Sequence, residues 1–281
     1  MSYLDRIREC NSHDLSHFMP FHVGDLRVGW VRRTMAEVLT HYADVLEIGD
    51  ARIDLVAGSS PVERTAAMLK VAGDLRGRGI IRSWRDEPYA VTPDFGSPAL
   101  FEIERAAAPF FGVRTFGVHV NGFVRKADGL HLWIPRRGYD RVVAPGKLDN
   151  IVAGGQPAGL GLAENLVKEA AEEAAIPRAL AMTAVPVGCI SYQLETAEGM
   201  KPDVLFCYDL ALDEDFRPRN TDGEVGEFQL VPVTRVMETV RETDEFKFNV
   251  NLVLIDFFVR HGLLSADSDP DYTAIVTGLH A

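Results

Sequence analysis

Three glutamates in the middle of the chain are the side chains best suited to chemistry. Glu169, Glu172 and Glu173 are related by three-, four- and one-residue steps, and residues three and four apart share one face of a helix. Carboxylates crowded on that face destabilise a bare helix, and a divalent cation relieves their repulsion. Their hard oxygens suit magnesium or manganese, which also bind a substrate's phosphates. A solvated acidic face is the alternative interpretation, but the glycines that precede the helix favour the metal site.

The helix that must position these carboxylates is predicted over residues 164–173, after a glycine-rich segment at residues 153–161. Gly161 is an acceptable N-cap, and Glu164 falls at the third helical position, where a carboxylate favours the helix start. Pro177 ends the helix because proline cannot continue it. On a helical wheel, one side is polar (Asn165, Lys168, Glu169, Glu172, Glu173) and the other apolar (Leu166, Val167, Ala170, Ala171, Ala174).

This loop and helix resemble the Nudix box. The box reads Gly, five residues, Glu, seven residues, then Arg-Glu-hydrophobic-any-Glu-Glu-any-Gly-hydrophobic. Gly154 matches its first glycine, and Glu169, Glu172 and Glu173 match its three helical glutamates. Its two hydrophobic positions are occupied by Ala170 and Ile176.

Three positions depart from the box. Leu160 stands where the early glutamate belongs, Lys168 replaces the arginine, and Ala175 replaces the last glycine. Lys168 keeps the positive charge but loses the bidentate fork of a guanidinium. Ala175 makes a left-handed turn more costly than glycine would. The resemblance is close enough to identify the chain as a member of the Nudix family.

The resemblance implies a metal site with bound Mg²⁺ (or Mn²⁺). Its ligands would be the carboxylates of Glu169, Glu172 and Glu173 and a backbone carbonyl at Gly154 or its neighbour. Two or three ions would neutralise a diphosphate and lower the pKa of the attacking water.

A glutamate from a late loop often completes such a site or acts as the base. Glu224 is the preferred candidate here because it lies in an Asp-Gly-Glu turn. Glu227 and a glutamate of the box are the alternatives. An exposed loop carboxylate without a catalytic role is equally compatible with either position taken alone.

A local excess of positive charge precedes the helix. Arg136, Arg137, Arg141 and Lys147 are predicted to bind the diphosphate opposite the metal ions, together with Lys168 on the helix, because guanidinium groups match phosphate geometry. A solvated loop that balances the charge of an acidic protein is the alternative.

The resemblance extends to a Nudix subgroup that carries an extra N-terminal domain and occurs alone or fused to thiamine pyrophosphokinase. Matching stretches lie at residues 79–87, 145–150, 152–155, 164–169, 201–210, 222–225 and 251–257. Members are associated with hydrolysing the diphosphates of thiamine and its oxidised analogues to monophosphates. Specificity for such rings needs aromatic walls, for which Trp84, Trp133 and Tyr139 are the candidates.

Other functions stay open at this point. A nucleoside-diphosphate-sugar or ADP-ribose pyrophosphatase would use the same box, because the box does not identify the organic group. A non-catalytic ligand-binding module is favoured by Leu160 and Ala175. Isopentenyl diphosphate isomerase chemistry is disfavoured, because it requires a cysteine near the box and neither Cys189 nor Cys207 lies in a comparable motif.

Composition limits the partners and the location. The chain has 281 residues, 47% hydrophobic content and a formal charge of −12, which argues against nucleic acid and anionic membranes as partners. No signal peptide or run of membrane-spanning length is seen. Three cysteines without metal spacing suggest reduced thiols in a cytoplasm. A homodimer is expected only by family resemblance.

Two domains are predicted. Residues 1–108 form a small α+β domain that contributes to the substrate cleft, and residues 109–281 form the Nudix α/β/α sandwich around a mixed sheet, so the fold class is α/β (α+β). Helices are predicted at residues 3–10, 33–42, 62–75 and 250–261, and strands at residues 115–124, 130–135, 184–193 and 203–212. Two hairpins are predicted in the first domain, within residues 21–31 and between residues 80–84 and 89–91.

Overall fold

The structure is a computed structural model that describes residues 1–140, 143–221, 223 and 225–280. Two residues predicted for the site, Arg141 and Glu224, lie outside these ranges. The described chain forms a four-stranded sheet, a two-stranded sheet and a six-stranded sheet. Within these ranges, no helix is long and apolar enough to cross a membrane.

The first part of the chain is organised around the four-stranded sheet, in the order β2-β1-β4-β3. Its elements are α1 (Tyr3–Cys10), β1 (Phe18–Val23), β2 (Leu26–Arg32), α2 (Arg33–Leu39), β3 (Leu46–Ile48), β4 (Ile53–Leu55), α3 (Pro61–Gly77), β5 (Pro88–Val91), β6 (Phe101–Glu104) and α4 (Ala108–Phe111). The antiparallel β1–β2 hairpin turns at Gly24 and Asp25 and confirms the first predicted hairpin. The three helices predicted here are also confirmed, and Ser60 caps α3 through a capping box with Glu63.

The second predicted hairpin, between residues 80–84 and 89–91, is wrong. β5 pairs with β6 instead, and the segment after α3 is not a strand because its backbone amides are used elsewhere. The amides of its first two residues donate to the last turn of α3, where carbonyls lack helical partners. Further along, the N–H groups of Arg85 and Glu87 donate to the Glu104 carboxylate at 2.8 and 3.1 Å.

The second part of the chain contains the six-stranded mixed sheet. Its elements are β7 (Thr115–Lys126), β8 (Gly129–Arg137), β9 (Val152–Gly155), α5 (Leu162–Ala174), α6 (Arg178–Ala181), β10 (Val185–Glu195), β11 (Met200–Ala211), β12 (Val225–Pro232), α7 (Val233–Glu242), α8 (Phe248–Arg260) and α9 (Tyr272–Gly278). The order is β10-β11-β7-β8-β12, and β9 also pairs with β7. β7 and β11 are parallel, whereas the other pairs are antiparallel.

Helices cover both faces of this sheet. On one face α5 packs over a core that includes Val120, Val152 and Leu166. On the other face α7, α8 and α9 enclose a larger core that includes Leu205 and Phe257. The α/β/α sandwich with a mixed sheet confirms the predicted fold class.

The two parts of the chain share buried surface. Tyr3 and Ile7 of α1 lie in the core beside α8 rather than in the core of the first part. α4 lies against β2 so closely that a Cβ at Gly29 or Gly112 would collide with the facing backbone. The division at residues 108 and 109 stays a prediction, because α1 and α4 pack across it.

Candidate active site

α5 is the helix predicted to carry the carboxylates, and its caps set its limits. It starts after the N-cap Gly161, has Glu164 in its first turn, and buries Leu166 and Ala174 against the sheet. It ends at Ala175, which adopts the left-handed conformation with φ 52° and ψ 34°. A residue with a Cβ pays about 1 kcal/mol for that conformation, yet the Ala175 N–H still caps the helix by donating to a carbonyl of the last turn.

Gly154 in β9 allows α5 to approach the sheet. A Cβ at this position would collide with Cγ and Cδ of Glu169. Because the position has no side chain, the Glu169 carboxylate lies directly against the β9 backbone, and only 13% of its side chain is exposed. The glycine that opens the box therefore has a steric role in placing the first carboxylate of the helix.

The three box glutamates have different partners: Glu169 and Glu172 contact Lys168, whereas Glu173 contacts the backbone of β9. The Lys168 ammonium lies between Glu169 Oε1 at 2.9 Å and Glu172 Oε2 at 3.1 Å. Glu173 is buried and its Oε2 accepts a hydrogen bond from the Ala153 N–H at 2.7 Å. No group of three or more His, Cys, Asp or Glu side chains in the described part of the chain converges as a metal site. The helix thus offers a pair of carboxylates, while the third fastens α5 to β9.

The pair of Glu169 and Glu172 fits a divalent cation. Both groups supply hard oxygen donors, and a cationic ammonium already lies between them. Magnesium is commonly held by one or two carboxylates, with water and substrate phosphate as its remaining ligands. These two side chains are therefore the first candidates to hold the ion, and metal binding by Glu173 and by the Gly154 carbonyl stays a prediction.

The charges around Glu169 and Glu172 favour the binding of a further cation. Burial raises the pKa of Glu169, and the nearby Glu172 adds to this effect, whereas Lys168 opposes it. Burial lowers the pKa of Lys168, but its hydrogen bond and charge interactions with Glu169 and Glu172 outweigh this and raise it overall. Lys168 is therefore cationic at neutral pH, and a bound cation would release it towards an anionic ligand.

Tyr89 and Arg105, from the first part of the chain, lie beside the carboxylate pair at β9. Neither was predicted from the sequence. The Tyr89 hydroxyl lies so close to Gly155 that a Cβ there would collide with it, and the Arg105 guanidinium carbon would be 3.5 Å from the same Cβ. Arg105 lies over the Tyr89 ring at 5.7 Å and donates to Glu87 Oε2 at 2.7 Å. We call Glu87, Tyr89, Arg105, Lys168 and Glu169 the outer cluster.

The outer cluster keeps unused hydrogen-bond donors. Burial raises the pKa of Tyr89, so its hydroxyl stays protonated, and that hydroxyl has no hydrogen-bond partner among the described residues. Partial burial lowers the pKa of Arg105, but the charges of Glu87 and Glu169 help to raise it overall. The Arg105 side chain is 45% exposed. Both groups can therefore donate to an anionic ligand.

Hydrogen bonds hold the segment between β9 and α5 in place. Asn165 Nδ2 donates to Gln156 Oε1 at 3.1 Å, and Gln156 Nε2 donates to the Leu160 carbonyl at 2.5 Å. The Ala158 N–H donates to the Pro88 carbonyl at 2.8 Å, which joins the segment to β5. The first part of the chain is thereby fixed beside the carboxylate helix.

Most of the predicted phosphate ligands before the helix bind oxygens of the protein itself. Arg136 pairs with Glu227 at 3.3 Å and with Glu245 at 3.4 Å. The Lys147 ammonium donates to the Asp244 carbonyl. These contacts fit the alternative of a charge-balancing loop, and phosphate binding by these residues stays a prediction.

Arg137, another predicted phosphate ligand, belongs to a buried polar group. Its NH1 donates to Asp149 Oδ2 at 2.8 Å, and the Lys247 ammonium is 3.7 Å from the same oxygen. Asp149 Oδ1 accepts from the Asn150 N–H at 2.9 Å, and Asn150 Oδ1 is 2.8 Å from His119 Nδ1. We call His119, Arg137, Asp149, Asn150 and Lys247 the inner cluster.

The inner cluster shifts the titration of its members. Burial raises the pKa of Asp149, but Lys247 and Arg137 oppose this and lower it overall. Burial, helped by the Lys247 charge, lowers the pKa of His119 to about 4. At neutral pH the carboxylate is charged and the imidazole is neutral.

The preferred base, Glu224, and the predicted phosphate ligand Arg141 lie outside the described residues. Thr221, three positions before Glu224, donates to the Glu172 carbonyl from its N–H at 3.2 Å and its hydroxyl at 2.6 Å. This part of the late loop is therefore fastened to α5. Glu227, the alternative base, lies in β12 with half of its side chain exposed.

Of the aromatic residues predicted to bind a ring, the two tryptophans make contacts within the protein and the tyrosine is exposed, so ring binding by these residues stays a prediction. Trp133 lies in the core under α5. Trp84 donates from Nε1 to Asp86 at 2.7 Å, and Tyr139, 80% exposed, packs on Gly146.

A sandwich fold that carries a carboxylate pair beside arginine and tyrosine donors is an arrangement that a hydrolase of phosphoric anhydrides would use. Comparison with known proteins agrees. Nudix hydrolase 24, chloroplastic, of Arabidopsis thaliana is 42% identical over 276 residues, covering 96% of this chain and 75% of that protein. Nudix hydrolase 20, chloroplastic, of the same plant is 41% identical over 279 residues, covering 95% and 74%. The chain belongs to the Nudix hydrolase family.

Two further similarities concern parts of the chain. Residues 2–115 match a family model described as a domain of unknown function, DUF4743. Among solved structures, DR0079 from Deinococcus radiodurans is 22% identical and covers 60% of this chain and 97% of its own, with a TM-score of 0.46. Nudix hydrolases cleave pyrophosphate bonds and generally use a divalent metal ion. The predicted enzyme class is therefore confirmed, whereas the thiamine-associated subgroup stays a prediction.

Proposed function

We propose that this chain is a magnesium-dependent (or manganese-dependent) diphosphatase that converts thiamine diphosphate, or its oxidised analogues, to the monophosphate and phosphate. The observation that carries this proposal is the outer cluster. It places Glu169, which can bind a cation, beside Arg105, which can bind phosphate, at the two glycines of β9. A diphosphate bound with a divalent ion needs both kinds of group within a few ångströms.

Each residue of the site has a role in this proposal. Glu169 and Glu172 hold the divalent ion, with the Gly154 carbonyl as a further predicted ligand, and Glu173 keeps α5 fastened to β9. When bound, the ion neutralises the diphosphate and makes a water more acidic. The proton is accepted by Glu224, for which Glu227 and a box glutamate are the alternatives.

The cationic side chains orient the diphosphate. Arg105 donates to phosphate oxygens through the fork of its guanidinium, and Glu87 holds that guanidinium in place. Lys168, which pairs with Glu169 and Glu172 in the absence of an ion, would donate to the phosphate once those carboxylates hold a divalent ion. Hydrogen bonds from these charged donors strengthen as negative charge develops on the transferred phosphoryl group.

The thiamine part of the proposal rests on the resemblance to the subgroup with an extra N-terminal domain. A nucleoside-diphosphate-sugar or ADP-ribose pyrophosphatase would use the same outer cluster. A non-catalytic module is favoured by one contact, the hydrogen bond that commits Glu173 to the Ala153 amide. We place hydrolysis first because Glu169 and Glu172 still offer a carboxylate pair.

Phosphate release from a panel of diphosphates tests the proposal. The panel contains thiamine diphosphate, its oxidised analogues, ADP-ribose and isopentenyl diphosphate, each with magnesium and with chelator. We expect magnesium-dependent release that is fastest with the thiamine compounds. Glu169→Gln should lower kcat/KM at least about 100-fold, because the pair then loses one charge.

Glu164→Gln is the matched control, since Glu164 is exposed in the first turn of the same helix, and it should leave kcat/KM within about twofold. An equal loss of kcat/KM in both variants would show that activity depends on the net charge of the helix and not on the carboxylate pair. Phosphate release from ADP-ribose alone would support the proposed site but contradict the proposed thiamine substrate. Ligand binding without release from any compound would support the non-catalytic module.

The remaining partners and the location are proposals as well. We propose no nucleic acid or membrane partner, since the formal charge is −12. A cytoplasmic location and a homodimer are proposed for the chain, and both rest on sequence alone. Cell fractionation and light scattering of the purified protein test them.

A further inference from the structure

A cavity of about 120 Å³ lies beside the outer cluster. It opens between the first part of the chain and the segment that precedes α5. Tyr89 belongs to both places, since it lines the cavity and also contacts Gly155. The other walls are residues 90, 92 and 95–97, the start of β7, and residues 156–160. A ligand in this cavity would therefore be adjacent to a diphosphate held by Arg105.

The cavity has aromatic walls. Phe95 lies 5.1 Å from Phe116 and 4.6 Å from Phe206 between ring centroids, and 44% of Phe95 is exposed. The turn that presents Phe95 is ordered by the Thr92 hydroxyl, which donates to the Asp94 carbonyl at 2.6 Å. A partly exposed phenylalanine fixed at the mouth of a cavity offers its ring to a flat ligand.

The polar side chains that line the cavity are mostly satisfied by the protein. Thr115 donates to Asp203 at 2.7 Å, and Gln156 and Thr92 bond to backbone carbonyls. No charged side chain belongs to the lining within the described residues. Two lining hydroxyls have no partner in the described chain: that of Ser97, which is exposed, and that of Tyr89, a residue only 6% exposed. The Tyr89 hydroxyl can therefore donate to a ligand at the end of the cavity nearest the proposed diphosphate site.

The size of the cavity limits what can enter. A cavity of about 150 Å³ holds one benzene molecule, so about 120 Å³ accommodates a single ring once the exposed Phe95 side chain adjusts. We therefore expect a fused two-ring system such as a purine to bind more weakly than a single ring.

We propose that this cavity binds a single flat aromatic ring on the organic group of the diphosphate substrate. The exposed Phe95 ring contacts one face of the ligand ring, and the Tyr89 hydroxyl donates to the phosphate oxygen nearest the ring. Because Tyr89 and Phe95 lie in residues 2–115, this gives the domain of unknown function the task of selecting the substrate. The inference rests on the proposed function for the identity of the diphosphate, but binding can be measured without hydrolysis.

Calorimetric titration tests the pocket with Ca²⁺ in place of Mg²⁺, so that binding is measured apart from turnover. The probes are thiamine diphosphate, isopentenyl diphosphate, which has no aromatic ring, and ADP, which carries two fused rings. We expect Phe95→Ala to raise the Kd for thiamine diphosphate about tenfold and to leave the Kd for isopentenyl diphosphate within twofold. Tyr89→Phe should raise the Kd for both about fivefold.

Leu69→Ala is the matched control, because Leu69 is 52% exposed on α3 and is not part of the cavity lining. An equal effect of Phe95→Ala on the compounds with and without a ring would overturn the proposal. So would ADP binding as tight as that of thiamine diphosphate. If the expected binding pattern appears but no phosphate is released with Mg²⁺, the pocket stands and the proposed hydrolysis fails.

Discussion

The inner and outer clusters each contain an arginine, a lysine and at least one carboxylate, but they differ in where their hydrogen bonds go. In the inner cluster, both oxygens of Asp149 accept bonds from the protein, and the neighbouring Asn150 is bonded to His119. In the outer cluster, the Tyr89 hydroxyl has no partner in the described chain, and 45% of the Arg105 side chain is exposed.

The difference separates residues that stabilise the fold from residues that meet a ligand. A buried charge is tolerated only when its partners satisfy it completely, and the Asp149 carboxylate of the inner cluster meets that condition at both oxygens without any ligand. The outer cluster keeps protonated donors beside a carboxylate, which contributes little to folding and leaves them for an anionic ligand. Substitutions in the two clusters should therefore change different measured quantities.

Asp149→Asn should have the largest effect on stability. The substitution removes the carboxylate that the largely buried Arg137 and Lys247 share, and breaking such a pair costs about 3–5 kcal/mol. The free energy of unfolding, measured by urea denaturation, should fall by that amount, while the KM of the folded fraction is unchanged.

Asp94→Asn serves as the control for Asp149→Asn, since Asp94 is 82% exposed and pairs with Arg114 at 3.5 Å. It should change the free energy of unfolding by less than about 0.5 kcal/mol. A stable Asp149→Asn protein with a raised KM would move Asp149 from the inner cluster to the substrate site.

The pH dependence of stability tests the inner cluster in a second way. His119 has a pKa of about 4 in the folded chain against an ordinary value of 6.5, so between these values the unfolded chain binds a proton that the folded chain does not. Stability should therefore fall as the pH drops from 6.5 to 4, by roughly 3 kcal/mol from this residue. His119→Asn should lose this part of the slope in urea denaturation at pH 7, 5.5 and 4.5. An identical slope in both proteins would mean that His119 is charged in the fold.

Local signals predicted the part of the site that is local in sequence. The limits of α5 follow from Gly161, Glu164 and Pro177, which lie within a few residues of its ends. The spacing of Glu169 and Glu172 determines that both can face one cation. Ala175 is left-handed as its place in the box implied, because the cap geometry overrides the preference of alanine.

The other half of the site depends on contacts that no short segment encodes. Tyr89 and Arg105 reach Gly155 only because β5 pairs with β6 and the Pro88 carbonyl binds the Ala158 amide. Sequence reasoning placed a strand at residues 80–84 and so lost this pairing. It recognised the charge of the loop that contains Arg136, but the acidic partners of that arginine lie about 90 and 110 residues away. Composition shows that a charged side chain is present, but it does not show whether that side chain already has a partner within the protein.

Arg105→Met and Arg136→Met form the most direct comparison, with a smaller expected effect than the two changes in the inner cluster. Arg105→Met should lower kcat/KM for the diphosphate substrate about 30-fold, since hydrogen bonds to charged phosphate are lost, and should change the free energy of unfolding by less than about 1 kcal/mol.

Arg136→Met should lower stability by about 1 kcal/mol through loss of the contacts to Glu227 and Glu245, and should leave kcat/KM within about threefold. Arg105→Lys should recover part of the activity, because it restores the charge without the fork. If Arg136→Met instead loses the activity, the loop binds the diphosphate as its composition suggested, and the bonds that now occupy Arg136 must open when the substrate arrives.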